Sequence, residues 1–109
     1  MSQRFGLRVV GDSMNEVYPP GTILDCISFD PFHSDGIANK KRVIVQRTRY
    51  DGGIETTVKE YFRDDDGIEW LVPKSHNPAF QAPFRCDEPG EGIEQIAIIG
   101  IVVASIQPE

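Results

Sequence analysis

Ten glycines and eight prolines break this chain at short intervals, leaving little room for a long helix. No stretch of twelve residues carries apolar side chains at the i, i+3, i+4, i+7 spacing of a helix face. The runs between the breaks are instead rich in β-branched and aromatic residues, which pack well on a pleated surface. They predict strands over 7–10, 22–28, 42–50, 55–63, 68–72 and 94–106. Asp51-Gly52-Gly53 reads as the turn of a hairpin, because glycine tolerates the positive φ such turns need. Asp64-Asp65-Asp66-Gly67 reads likewise, so the third, fourth and fifth runs form a meander. One helical turn fits 13–17 before Pro19-Pro20 stops it. The expected fold class is mostly β: a compact folded sheet or partly closed barrel with little helix.

At 109 residues, with 39% apolar side chains, the chain suits one packed domain over 1–109. Seventeen acidic against eleven basic residues give a net charge of −6, the wrong sign for a surface that binds phosphates. The longest aliphatic run, 96–106, is too short to span a bilayer, which needs about twenty residues. No basic segment followed by an apolar stretch marks the start for export, so the expected location is cytoplasmic. Cys26 and Cys86 have no Cys-x-x-Cys spacing and are expected to be reduced. His33 and His76 stand far apart, and no cluster has metal-ligand spacing, so neither metal nor cofactor is expected. Asp64-Asp65-Asp66 lacks the spaced ligands of a calcium loop and reads as a solvated turn. Lys40-Lys41-Arg42 reads as the exposed start of a strand, with a phosphate or partner contact as the alternative.

A Ser-His-Asp triad has no support, since neither histidine lies beside a Gly-x-Ser-x-Gly elbow. What remains is Ser13, in Val9-Val10-Gly11-Asp12-Ser13-Met14. The segment runs from a strand through a glycine into a turn. A serine at such a corner presents its hydroxyl outward, and successive backbone N–H groups there can converge on an anion. Taken alone the motif means little: Gly-Asp-Ser is a common turn, and Ser13 reads first as a helix cap.

Gly11-Asp12-Ser13-Met14, with Pro20-Gly21 beyond it, resembles the nucleophile motif of the LexA and phage-repressor family of S24-type serine–lysine self-cleaving peptidases. Further matches follow in the family's order. Thr57-Val58-Lys59-Glu60-Tyr61 resembles the lysine strand. Leu71, Ser75, Asn77, Pro78 and Phe80 match its Leu-x-x-x-Ser-x-Asn-Pro-x-aromatic segment, and 98–103 resembles the closing strand. Together these span nearly the whole chain. The family's proline after the methionine and aspartate after the glycine are replaced by Asn15-Glu16-Val17 and Thr22, and the interval from Ser13 to Lys59 is long.

The resemblance implies a LexA-like sheet and a Ser–Lys dyad, with Ser13 as nucleophile and Lys59 as general base. Backbone N–H groups of Ser13 and Met14 would bind the oxyanion. A lysine takes a proton from serine only when neutral, and its ordinary pKa is about 10.4. Burial supplies the required shift. Alternation puts Thr57, Lys59 and Tyr61 on one face of a strand, where an aromatic can help desolvate the amine. Without the family match Lys59 reads as an edge-strand lysine that discourages aggregation. Asp12 is expected to stabilise the turn, since the lysine already provides a base.

Family members cut themselves at Ala-Gly or Cys-Gly well upstream of the serine. This chain has twelve residues before Ser13 and neither dipeptide. The expectation is therefore the C-terminal self-cleavage and dimerisation domain of a transcriptional regulator. Its DNA contact would lie in a separate N-terminal domain, its homodimer would form through the C-terminal strand region, and a RecA-type filament would activate it. A UmuD-like polymerase accessory protein, a non-cleaving dimerisation module and a signal peptidase are the alternatives, the last requiring a membrane anchor not seen here.

Overall fold

The computed structural model describes residues 3–11, 14–29, 36–78 and 82–107. Seven strands form one antiparallel sheet: β1 (Arg4–Arg8), β2 (Ile23–Ser28), β3 (Arg42–Arg49), β4 (Ile54–Arg63), β5 (Glu69–Val72), β6 (Phe84–Arg85) and β7 (Ile93–Ile106). Their spatial order is β1-β2-β7-β3-β4-β5-β6, so the sheet stays open, with β1 and β6 at its edges. There is no α-helix among the described residues.

The turns form as their residues dictate. Gly52 takes a φ of 92° between β3 and β4, and the Gly53 N–H donates to Asp51 Oδ1 at 2.8 Å. Asp64 closes the next turn by accepting from the N–H groups of Asp66 and Ile68 and from the Trp70 indole. The solvated-turn reading of 64–67 therefore holds, and the meander β3–β4–β5 forms as expected.

Two differences stand out. The first strand runs over Arg4–Arg8 rather than 7–10, because Phe5 and Leu7 alternate inward while Val10 is 82% exposed. Val9 continues the ladder through bonds to Thr22 and Gly21. The two-residue strand β6 is too short to leave a periodicity.

The core lies on both sides of β3, whose Val43, Ile44 and Val45 are completely buried. Alternation divides them. Ile44 joins Val9, Met14, Tyr18, Leu24, Cys26 and Val58, whereas Val43 and Val45 join Tyr61 and Leu71. Cys26 belongs to the first cluster and Cys86 packs on the second, and both thiols are free.

β7 is a central strand, paired with β2 on one side and β3 on the other. Gly100 sits at the crossing of all three. A Cβ there would lie 2.6 Å from Cζ of Phe5 and 3.1 Å from the Ile27 carbonyl oxygen, so only glycine lets the Phe5 ring reach across β2 onto β7. No helix among the described residues is long and apolar enough to cross a membrane.

Candidate active site

Lys59 lies within β4, opposite Val43, and is 6% exposed. An edge lysine kept in solvent would not be buried in this way. Its ammonium Nζ donates to the Val58 carbonyl at 3.3 Å. Burial pushes the amine down from its ordinary 10.5 to about 8; the positive charge of Arg47 pushes the same way and Glu55 opposes both. Arg47 and Glu55 pair across β3 and β4, with Arg49 Nη2 also 3.4 Å from Glu55. The result is an amine that loses its proton far more readily than a solvent-exposed lysine.

β4 pairs with β3 over residues 54–60 but with β5 only from Glu60 to Arg63. Among the described residues, therefore, no strand covers the outer edge of residues 54–59. A pocket of about 230 Å³ opens there, between residues 7–10 and residues 56–58, floored by Leu24 and Ile44. Thr57 lines it, and its Oγ1 is buried with no hydrogen-bond partner among the described residues.

Ser13 and Asp12 lie outside the described residues, as do His33 and Phe80. Met14, the residue after Ser13, is fully buried and starts the expected turn. Its carbonyl accepts from the N–H groups of Val17 and Tyr18, at 3.0 and 2.7 Å. No acceptor among the described residues takes the Met14 N–H. The turn is stitched to the loop after β5 by three bonds. Lys74 N–H donates to Met14 Sδ at 3.2 Å, Glu16 N–H to the Lys74 carbonyl at 2.9 Å, and His76 N–H to Asn15 Oδ1 at 2.8 Å. Ser75 is buried and accepts from the Asn77 N–H, which folds the Ser75-His76-Asn77 loop, while Lys74 and His76 make the bonds to the Met14 turn. His76 is exposed, with Nδ1 3.8 Å from Glu16.

Met14 and Val58 belong to one core cluster, so the sequence neighbours of Ser13 and Lys59 share a hydrophobic contact network. Lys59 itself alternates onto the opposite face of β4, with Tyr61 of the second cluster. Arg47 is placed beside Lys59 only by the β3–β4 register, and the Met14–Lys74 stitch only by a contact between a turn and a distant loop.

The family model described as Peptidase S24-like matches residues 1–103. The chain belongs to this family. The resemblance to LexA and phage-repressor C-terminal domains thus covers nearly the whole S24-like domain, from β1 through most of β7. Neither the curated proteins nor the solved structures give a match. Among the described residues no group of three His, Cys, Asp or Glu side chains could hold a metal.

Proposed function

We propose that this S24-like domain is the C-terminal self-cleavage and dimerisation domain of a LexA-like or phage-repressor-like regulator. The observation that carries this reading is a buried Lys59, its pKa lowered to about 8, on a strand whose neighbouring edge is unpaired and opens on an apolar pocket. An extended peptide can add to such an edge through its main chain, with alternate side chains entering pockets.

In the proposed reaction, neutral Lys59 Nζ takes the Ser13 hydroxyl proton as Oγ attacks the scissile carbonyl. The carbonyl oxygen becomes an oxyanion that accepts from the N–H groups of Ser13 and Met14. The C–N bond then breaks as the Lys59 ammonium returns its proton to the leaving amine. Water attacks the acyl-serine, Lys59 takes the water's proton, and Ser13 Oγ leaves with it.

The dimerisation part rests on Ile23 and Ile106, which face each other across β2 and β7 yet are exposed, and on nearby Val103. The test of cleavage is a chain fused to an upstream linker that contains an Ala-Gly bond. Cleavage that Ser13→Ala and Lys59→Ala each abolish, with the fold retained, supports the dyad. Undiminished cleavage in either variant removes that residue from the mechanism.

A further inference from the structure

Glu60 follows Lys59 in β4, and alternation turns its side chain to the other face, where Val58, Met14 and Tyr18 pack. Its carboxylate is largely withdrawn from solvent, the side chain being 13% exposed. Each oxygen meets a different cation. Oε2 lies 3.4 Å from Arg42 Nη2, and Oε1 lies 3.5 Å from Lys74 Nζ. The two cations come from opposite sides of β4. Arg42 is the cross-strand partner of Glu60 on β3, whereas Lys74 lies two residues beyond Val72, the partner of Glu60 on β5.

Both cations lead on to the turn that begins at Met14, the residue after Ser13. Lys74 grips its start through the main chain: the Lys74 N–H donates to Met14 Sδ, and the Lys74 carbonyl accepts from the Glu16 N–H. Arg42 reaches the other end of the turn, with its guanidinium over the Tyr18 ring, 5.8 Å from the centroid. The Tyr18 N–H in turn donates to the Met14 carbonyl at 2.7 Å. One carboxylate is thus joined to both ends of a single turn.

Exposed ion pairs between long side chains contribute little and hold little in place. Glu60 differs from them. It is withdrawn from solvent, both of its oxygens are used, and its two arms converge on a segment that pairs with neither β4 nor β5 in the sheet. Without the carboxylate, Arg42 and Lys74 become two like charges gathered at one point. Their repulsion then pushes apart the elements that grip the turn.

Resting on the Ser13–Lys59 reading above, we propose that Glu60 is a positioning residue: through Lys74 and Arg42 it fixes the turn after Ser13 relative to the strand that carries Lys59. The neighbour of the base in sequence therefore sets where the nucleophile sits. Attack geometry tolerates little displacement, so loosening this link costs rate. It leaves the proton affinity of the amine alone, because that is governed by burial, Arg47 and Glu55.

Two measurements test this. In the ¹⁵N-labelled chain, Glu60→Gln and Lys74→Met should each speed amide exchange at Val17 and Tyr18 by about tenfold, with the amides of β3 unchanged. In the chain fused to an Ala-Gly linker, both variants should lower the cleavage rate at high pH by about tenfold or more, while the pH midpoint stays in place. The double variant should be no slower than the slower single one, because both break the same link. Lys74→Arg should recover most of the rate lost in Lys74→Met. Unchanged exchange at Val17 and Tyr18, additive losses in the double variant, or a moved midpoint with an intact high-pH rate would each overturn the proposal. Faster exchange throughout the sheet would do the same, since Glu60 would then hold the fold and not the turn. A fused parent chain that does not cleave, or that Ser13→Ala fails to silence, overturns the self-cleavage reading, while exchange at Val17 and Tyr18 still decides whether Glu60 holds the turn.

Discussion

Met14 and Val58 bury their side chains in the same core cluster, one residue away from Ser13 and Lys59 respectively. Packing thereby ties the segment that precedes one turn to the middle of a strand forty-four positions later in the chain. The side chains that hold this tie are apolar, so the reactive pair can be altered without removing it. That makes clean tests of the chemistry possible.

Self-cleavage should rise about tenfold per pH unit and level off above about 8, because only neutral Lys59 accepts the serine proton. At pH 7 roughly one amine in ten is neutral. A rate constant flat between pH 6 and 9 in a fused substrate chain would exclude Lys59 as the base.

The same burial carries a stability cost with a defined sign. Below about pH 8 the folded chain holds an ammonium that solvent would favour, so the cost is then fully present. Between about 8 and 10.5 the unfolded chain binds more protons than the folded one, and stability rises with pH. Lys59→Met should therefore stabilise the domain at pH 7 by on the order of 2 kcal/mol, and by progressively less toward pH 10.5. Urea unfolding at the two pH values measures this directly.

Arg47→Gln should move the pH–rate midpoint upward. It removes a cation that disfavours the Lys59 ammonium and frees Glu55 to favour it. Cleavage should slow several-fold at pH 7 and be little changed at pH 10. An unaltered midpoint would show that burial alone sets the amine.

Gly100→Ala should destabilise by about 1–3 kcal/mol, since the new methyl meets the Phe5 ring and the Ile27 carbonyl. In a Phe5→Leu background the added penalty should shrink, as the ring atoms at 2.6 and 3.1 Å are gone. Equal penalties in both backgrounds would place the clash at the backbone instead.

Val103→Asp tests the proposed homodimer. Val103 is 46% exposed in the single chain, so a carboxylate there is tolerable in a monomer. In a two-fold interface it would occur twice and lie buried, at a cost of several kcal/mol. Sedimentation should show a dimer for the parent and a folded monomer for the variant. A monomeric parent at tens of micromolar would remove the dimer.

Much of this architecture is legible in the chain because strand-forming runs and glycine turns alternate so regularly. β4 and β7 lie within a residue of their expected bounds, and Asp51-Gly52-Gly53 turns where it should. Lys59 was legible as the inward residue between Thr57 and Tyr61. Its electrostatic partner Arg47 was not, because that pairing depends on the β3–β4 register and not on local pattern. The open edge of β4 was equally hidden, since it arises where β5 stops short.

β7 is last in sequence yet third in the sheet, and it is the strand that joins β1–β2 to β3–β6. During synthesis, the segment leading to Ser13 and the strand carrying Lys59 emerge from the ribosome long before the strand that unites them. The two halves of the sheet remain unjoined until residues 93–106 have been translated and released. The strand made last is therefore the seam of the sheet, and its central ladders with β2 and β3 close only when the whole fold is available.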